Sequence, residues 1–121
     1  MTITQKSKTF FTKIEKEVAK MPNCKEKKVL FYFIYRSFIK LGVLLMKMSN
    51  YKIKCEDDFD KIVIDKIAEI LDKKYIKTTG QKMRQKINKT CYGFDDISKK
   101  EIAEYSKFVT KVFKETEHCF S

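Results

Sequence analysis

The stretch VLFYFIYRSFIKLGVLLMKM, residues 29–48, is the most apolar segment of the chain and decides its fold class. Apolar side chains cover nearly every side of its helical wheel, while Arg36, Lys40 and Lys47 fall together in one narrow polar stripe. A helix with this pattern is typical of the central core helix of a bundle. The sequence therefore predicts a buried helix over residues 25–48.

A membrane-associated helix is the alternative interpretation of the same segment. Arg36 and Lys40 interrupt the apolar run, and each would cost about 2.5–3.5 kcal/mol at the centre of a bilayer. Residues 29–55 contain no acid, which leaves room for a helix that lies in a membrane interface. We expect the core position, and therefore no membrane partner.

The composition of the 121-residue chain favours one helical domain over residues 1–121. Apolar residues make up 43% of the chain and aromatic residues 13%, which is enough to fill one core although 36% of the residues are charged. Three Gly and one Pro are too few for a turn-rich β-sandwich. We predict an all-α fold, a compact bundle of about five helices.

Helix-end signals divide the chain further. Thr78 or Thr79 is predicted to cap the fourth helix, and Gly93 to end it in a left-handed conformation. Ser98 and Glu101 have the spacing of a capping box at the start of the fifth helix. The predicted bounds of the five helices are 4–20, 25–48, 58–74, 79–91 and 98–117.

The net charge of +11 is concentrated in two parts of the chain. Residues 1–55 hold 13 Lys and Arg against three acids, and residues 73–89 hold seven basic residues and no acid. Residues 56–72 are acidic, with seven acids against two lysines. Basic blocks suit a polyanion or an acidic protein partner. A base-composition bias of the genome would also give 25 Lys against 2 Arg, because selection for phosphate geometry favours Arg.

The predicted helix 79–91 is the candidate surface for nucleic acid. Met83 and Ile87 are four residues apart and are expected to face the core, so polar side chains cover the other side. Arg, Gln and Asn can make bidentate hydrogen bonds to base edges, and lysines contact phosphates. An ordinary solvated face would contain the same residue types. The candidate nucleic-acid-binding residues are Lys73, Lys74, Lys77, Lys82, Arg84, Gln85, Lys86, Asn88 and Lys89.

A helix-turn-helix motif is not predicted at this position. The stretch IAEILDKKYIKTTGQ, residues 67–81, places too long a connection, with no glycine, between the two predicted helices. We therefore expect contact with a polyanion more than base reading by a recognition helix.

The segment EIAEYSKFVTKVFKE, residues 101–115, resembles the last helix of the TFIIS N-terminal domain family, a small helical bundle. The upstream TTGQKMRQKINK, residues 78–89, is similar to the Thr/Gly turn and following helix of that family. The chain differs from the family pattern at Gln81, where the family has glycine, and by about six extra residues between the helices. The residues that match the pattern of the last helix are Glu101, Ile102, Ala103, Ser106, Lys107, Lys111, Phe113 (in place of the usual Trp) and Lys114.

This resemblance covers roughly the last third of the chain, residues 78–115. It implies a docking module for disordered peptides of the transcription machinery, which would act through a groove between helices and not by catalysis. The partner-binding residues that the resemblance implies are Arg84, Lys107 and Lys111.

The tripeptide Ile34-Tyr35-Arg36 is similar to the motif of the mitochondrial LYR-type accessory proteins, which are small, basic and helical. In those proteins a phenylalanine follows further along the chain, and Phe59 could serve as this residue. The same tripeptide also fits an amphipathic anchor on an apolar helix, so both interpretations stay open.

Catalytic and metal-binding patterns are missing from the sequence. The four cysteines form no CxxC pair, no Gly-rich phosphate loop occurs, and the one histidine, His118, lies beside Cys119 near the end of the chain. The acids of residues 55–60 fit the start of a helix, where they complement its dipole. We expect no enzyme activity, no catalytic or metal-binding residues, no cofactor and no small-molecule substrate.

The cysteines and the first residues indicate a compartment. Residues 1–13, MTITQKSKTFFTK, lack the apolar region of a secretory signal, and we interpret the cysteines as free thiols. The predicted location is intracellular, in a reducing compartment such as the cytoplasm or nucleus.

These patterns together predict a non-enzymatic, small, basic helical binding protein. It would contact nucleic acid or the transcription machinery through lysine-rich helices, with nucleic acid or an acidic protein as its partner. The alternative is a protein-interaction adaptor or inhibitor, including one of viral type, that grips a partner peptide in a helical groove.

Overall fold

The computed structural model describes residues 24–52 and 58–120 of the chain. These residues form four α-helices: α1 (Cys24–Met48), α2 (Phe59–Leu71), α3 (Lys74–Thr90) and α4 (Lys99–Phe120). No strand occurs in the two described ranges, so the predicted all-α fold is confirmed for them. The helix predicted over residues 4–20 lies outside the described residues.

α1 lies at the centre of the bundle and contacts each of the other three helices. Phe31, Phe38 and Leu45 of its inner side are completely buried. The ring of Phe31 stacks on Tyr105 at 5.2 Å between centroids, and the ring of Phe38 lies 5.3 Å from that of Phe108. Complete burial of such a side chain stabilises the fold by roughly 1.5–3 kcal/mol. The predicted core position of this helix is confirmed.

Residues Lys27–Met48 of α1 are also long and apolar enough to cross a membrane, by length and composition alone. In the bundle, 56% of this apolar window is buried. The predicted polar stripe lies on the outer side of α1, where Lys40 and Lys47 are exposed and Arg36 is half-buried. A core helix passes the same test of composition, and the buried share of α1 favours that position.

The contact between α1 and α2 depends on a glycine. A Cβ atom on Gly42 would lie 2.4 Å from Cγ1 of Val63 and 2.6 Å from Cδ1 of Ile67, which is closer than carbon atoms approach each other. The two helix backbones therefore come closer at this point than a larger residue would permit.

A polar contact also joins α1 to the start of α2. The hydroxyl of Tyr35 donates a hydrogen bond to Asp60 at 2.6 Å, and the guanidinium of Arg36 lies 3.8 Å from the same carboxylate. Phe59, the residue before Asp60 and the phenylalanine considered with the tripeptide 34–36, is half-buried. The Tyr-Arg pair of the tripeptide 34–36 thus anchors one helix to the next.

α1 and α2 both end in a Schellman motif that uses a residue other than glycine. Asn50 and Asp72 have φ angles of 61° and 54°. In each motif the N–H of the following residue donates to the carbonyl five residues earlier. Tyr51 donates to Met46 at 2.8 Å, and Lys73 donates to Ala68 at 3.1 Å. Asn and Asp are the residues besides glycine that enter the left-handed region with little strain.

α3 begins at Lys74, five residues before the predicted start. The predicted caps Thr78 and Thr79 were wrong because both residues lie inside the helix, and the Thr78 hydroxyl donates to the carbonyl of Lys74 at 3.4 Å. Lys73 occupies the N-cap position without a capping hydrogen bond. The left-handed turn at Asp72 explains this difference, since it ends α2 early and lets a new helix begin at once.

Only two residues connect α2 to α3, so the two helices form a hairpin. The predicted long connection was wrong, and connection length is no argument against a helix-turn-helix. Gly80 of α3 lies against Ile64, because a Cβ atom on this glycine would be 2.7 Å from Cγ2 of the isoleucine. Next to it, the side-chain amide of Gln81 donates to the carboxylate of Asp65 at 3.0 Å.

The loop between α3 and α4 differs from the prediction at one position. α3 ends at Thr90, followed by Cys91 in a right-handed helical conformation. No described glycine has a positive φ, so the predicted left-handed stop at Gly93 was wrong.

The start of α4 matches the predicted capping box. The backbone N–H of Glu101 donates to Oγ of Ser98 at 3.1 Å, and the N–H of Ser98 donates to Oε1 of Glu101 at 3.2 Å. Ile97 and Ile102, on either side of the cap, are both buried. Such a cap and its apolar staple fix the position at which α4 leaves the loop.

Candidate nucleic-acid interface

The inner side of α3 is a narrow apolar strip. Met83 and Ile87 are buried, as predicted, and residues three or four positions away complete the strip. The buried residues of α3 are Ile76, Gly80, Met83, Ile87 and Thr90. The side of α3 opposite this strip is therefore exposed to solvent or a partner.

The outer side of α3 carries an exposed line of basic and polar side chains, which we call the basic ridge. Its members follow one another at spacings of three or four residues, so they lie on one face of the helix. From the first to the last, the ridge spans about 22 Å, or roughly six phosphates along one strand of a duplex. The residues of the basic ridge are Lys74, Thr78, Lys82, Gln85 and Lys89.

No acid occurs within α3 itself. Four ion pairs are formed among the described residues, and none of them includes a lysine of the basic ridge. The ammonium groups of Lys74, Lys82 and Lys89 therefore form no ion pair with a carboxylate in the described part of the chain. A polyanion could contact them without first breaking an ion pair.

Two other predicted residues of α3 are already engaged within the bundle. The guanidinium of Arg84 donates through Nε to Oε1 of Gln81 at 2.8 Å, on the side of α3 that faces α2. The ammonium of Lys86 lies 3.0 Å from Oε2 of Glu101, on the side that faces α4. These two side chains flank the basic ridge but are less available to a ligand than its lysines.

The carboxylate of Glu101 pairs with Lys86 and also accepts a hydrogen bond in the cap of α4. Burial alone would raise the pKa of this carboxyl, but hydrogen bonds from Lys86 and Ser98 outweigh burial and lower the pKa below its ordinary value of 4.5. The carboxylate therefore stays charged at neutral pH and keeps Lys86 directed towards α4.

The N-terminal end of α3 has a mixed electrostatic environment. A cavity of about 530 Å³ is lined by residues of α2, of the turn after it and of the first turns of α3. The predicted residues Lys73, Lys74 and Lys77 line this cavity, together with three carboxylates of α2 and the turn after it. Phosphate contact is therefore more favourable at the C-terminal half of α3, where the exposed predicted residues are Lys82, Gln85, Asn88 and Lys89.

The three residues implied by the family resemblance do not come together. The ammonium of Lys111 lies 4.4 Å from the ring centroid of Tyr75, on the side of α3 that faces α4. Arg84 is nine residues after Tyr75, which places it on the opposite side of α3. Lys107 is exposed on α4. A single groove lined by Arg84, Lys107 and Lys111 is not present in this arrangement.

Four exposed apolar side chains beside the end of α3 were not predicted from the sequence. We call them the aromatic ledge: Val29, Tyr32, Tyr92 and Phe94. Tyr92 is 70% exposed and Phe94 is fully exposed, at 103%. The rings of Tyr32 and Tyr92 meet edge to face, with centroids 6.2 Å apart and planes at 87°. The available sequence signal was the pair of aromatic residues in CYGFDD, residues 91–96, because loops seldom expose two large aromatic side chains without a use.

Tyr92 connects the aromatic ledge to α3. On one side it lines a cavity of about 410 Å³ with Lys28, Val29 and Tyr32. On the other side it lines a cavity of about 280 Å³ that also includes Asn88. A hydrogen bond with Tyr32, followed by burial, raises the pKa of Tyr92, so its hydroxyl is neutral at physiological pH.

The two cysteines whose side chains are described, Cys91 and Cys119, are free thiols. The thiol of Cys91 donates to the carbonyl of Lys28 at 3.3 Å, and burial raises its pKa. A raised pKa disfavours the thiolate, which is the nucleophilic form of cysteine. Within residues 24–52 and 58–120, no three His, Cys, Asp or Glu side chains are grouped so that they could hold a metal ion.

No family model, no curated protein and no solved structure matches this chain. The resemblance to the TFIIS N-terminal domain family therefore stays a prediction.

Proposed function

We propose that this chain is a non-enzymatic nucleic-acid-binding protein that holds a phosphate backbone against the outer side of α3. The basic ridge is the observation that carries the proposal. It offers three exposed lysines over about 22 Å of an acid-free helix, without an ion pair to the described acids.

The chemistry of the ridge favours backbone contact over reading of a particular base sequence. Lysines act as point charges towards phosphates, whereas Arg is the residue that fits bidentate recognition. Binding would release condensed counterions, so the affinity should fall steeply with salt. The exposed amides of Gln85 and Asn88 can add hydrogen bonds to sugars or base edges.

The test is a salt titration of binding to labelled DNA and RNA, followed by fluorescence anisotropy. The ridge variant carries Lys74→Gln, Lys82→Gln and Lys89→Gln. We expect it to bind more weakly and to lower the slope of log K against log salt by about 2–3, close to one for each lost phosphate contact. The proposal is wrong when the wild-type protein binds no nucleic acid at low salt.

The matched control removes the same charge from α4. Lys100, Lys107 and Lys114 are exposed, are spaced seven residues apart, and make no ion pair with the described residues. Their replacement by Gln should leave the slope almost unchanged. An equal loss of affinity in both variants would attribute binding to net charge alone and would remove α3 from the proposal.

A second candidate function is that of a protein-interaction adaptor or inhibitor. It is favoured by Leu44 and Met48, which are 48% and 47% exposed on the outer side of α1, beside Lys40 and Lys47. An acidic, amphipathic peptide would fit this surface, and the family resemblance suggests the transcription machinery as its source. Affinity purification from native extract tests it, since a partner retained after nuclease treatment and at high salt supports this function over the first.

A further inference from the structure

We infer that the aromatic ledge stacks unpaired bases, which makes single-stranded nucleic acid the preferred ligand. This inference rests on the proposed function, because α3 would hold the backbone of the same strand. Bases inside a duplex are stacked on one another and present only their edges, so a protein ring can stack only on bases that are free.

The geometry of the aromatic ledge suits this role. The rings of Tyr32 and Tyr92 meet edge to face, and Tyr92 is still 70% exposed in this contact. The loop is attached to α3, because the N–H of Tyr92 donates to the carbonyl of Ile87 at 3.2 Å and the N–H of Asp95 donates to that of Lys89 at 3.0 Å. The backbone of Tyr92 is thus held in a fixed place relative to α3.

The charges around the aromatic ledge favour a nucleic acid over a protein partner. Two of the nearby carboxylates are already engaged, Asp60 by Tyr35 and Arg36, and Asp96 by Lys27 at 3.7 Å. The remaining acids, Asp58 and Asp95, are outnumbered by basic residues around the site, which are Lys28 of α1, Lys61 of α2, and Arg84 and Lys89 of α3. A polyanion with flat apolar groups matches a positive surround with aromatic rings at its centre.

The aromatic ledge lies next to the C-terminal end of α3, where the basic ridge also ends. Tyr92 follows Lys89 by three residues and lines the same cavity as Asn88. A strand whose phosphates run along α3 would therefore reach the ledge at the end of the helix. Its next bases could turn towards the ledge and stack on its rings.

The experiment compares three ligands at one salt concentration, about 100 mM, by fluorescence anisotropy. They are an oligo(dT) of about 12 nucleotides, an abasic deoxyribose-phosphate strand of the same length, and a duplex of about 12 base pairs. We expect the wild-type protein to bind oligo(dT) about tenfold or more tightly than the abasic strand. The abasic strand carries the same phosphates, so this difference measures the bases alone.

The ledge variant carries Tyr92→Ala and Phe94→Ala, and we expect it to bind oligo(dT) and the abasic strand equally. Both residues are exposed, so thermal unfolding followed by circular dichroism should match that of the wild-type protein. Tyr92→Phe is the conservative control, since it keeps the ring and should keep most of the preference. The ridge variant should weaken binding to all three ligands.

Several outcomes would overturn the inference. Equal wild-type affinity for oligo(dT) and the abasic strand would show that bases are not stacked, while the salt dependence of the ridge variant would still support the proposed function. In a second outcome, the wild-type protein retains a partner protein from native extract and the ledge variant does not, while both bind oligo(dT) equally. This result would assign the ledge to a protein partner. Absence of binding to all three ligands would end both proposals.

Discussion

α1 and α3 both contact every other helix of the described bundle. The main difference between these two helices is the polarity of their side chains. α1 buries large side chains such as Phe31, Phe38 and Leu45 over more than half of its circumference. α3 is held by a strip of five buried residues and is polar elsewhere.

The difference shows how little apolar surface a helix needs once its neighbours are in place. A strip at three- and four-residue spacing is enough to hold α3 in the bundle. Most of the outer side of α3 is then not committed to the fold, and that side carries lysines that form no ion pair with the described acids. The apolar helix α1 therefore supplies large side chains to the core, while α3 leaves a basic and polar face outside it.

The largest effect should come from cavities at the inner side of each helix. We expect Phe38→Ala in α1 to cost about 3–5 kcal/mol of unfolding free energy, and Met83→Ala in α3 to cost less, near 2–3 kcal/mol. Both side chains are completely buried, but the Phe38 ring also packs on Phe108. Urea denaturation measures both values, and Phe38→Leu serves when the alanine variant does not fold. A larger cost for Met83→Ala would contradict the comparison.

A glycine brings both α1 and α3 close to α2, and its replacement should cost more stability in α1 than in α3. Gly42→Ala in α1 places a Cβ atom 2.4 Å from Val63, whereas Gly80→Ala in α3 places it 2.7 Å from Ile64. Overpacking costs about 1–3 kcal/mol, partly offset by about 1 kcal/mol of helix propensity. We expect a net loss of about 2 kcal/mol for Gly42→Ala and a smaller loss for Gly80→Ala.

Chemical denaturation of the two glycine variants checks this order. Lys40→Ala is the control in α1, because this exposed side chain should change the stability by less than about 0.5 kcal/mol. Stabilisation by Gly42→Ala would mean that α1 and α2 are further apart than described.

The buried hydroxyl of Tyr35 makes the contribution of α1 to stability depend on pH. Burial, followed by the hydrogen bond to Asp60, raises the pKa of Tyr35 above its ordinary value of 10.0. Since the folded state favours the neutral hydroxyl, its contribution is fully present below pH 10 and is lost as the pH rises further. Tyr35→Phe should cost about 1.5 kcal/mol at neutral pH by removing a hydrogen bond to a charged group.

The measurement is urea denaturation of the wild-type protein and Tyr35→Phe at about pH 8 and pH 11. The wild-type protein should lose more stability between the two values than the variant does. Tyr75 and Tyr105 also have raised pKa values, mainly because they are buried, but they are present in both proteins and cancel in the difference. Equal losses in both proteins would contradict the role assigned to Tyr35.

The smallest effect should come from the helix starts. Ser98→Ala removes the cap of α4 and should cost about 1 kcal/mol. Thr78→Ala should change the stability by less than about 0.5 kcal/mol, because this residue lies inside α3 and caps nothing. Thermal or urea denaturation of both variants decides between the two roles, and a cost of about 1 kcal/mol for Thr78→Ala would restore the predicted helix start.

Local signals in the sequence were sufficient for much of the fold. The apolar run 29–48, the spacing of Met83 and Ile87, and the capping box at Ser98 each depend on residues within a few positions of one another. The break between α2 and α3 could not be found in this way. Asp72 adopts the left-handed conformation without a glycine to indicate it in the sequence, and lysines with good helix propensity follow it.

The candidate site was predictable to a similar extent. The exposed lysines of α3 follow from its acid-free sequence and helical period. The engagement of Lys86 with Glu101, and the meeting of Tyr32 with Tyr92, depend on residues far apart in the chain. Only the arrangement of the helices brings such pairs together, so the aromatic ledge could not be derived from periodicity.

The two-residue connection between α2 and α3 also bears on the order of events in folding. Closing so short a loop costs little chain entropy, whereas the contact between α1 and α4 must close a loop of several tens of residues. We expect the hairpin of α2 and α3 to form in the transition state before α4 docks. Kinetic φ-values should accordingly be high for Ile64→Val and low for Val109→Ala, and the reverse pattern would place the nucleus in the pairing of α1 with α4.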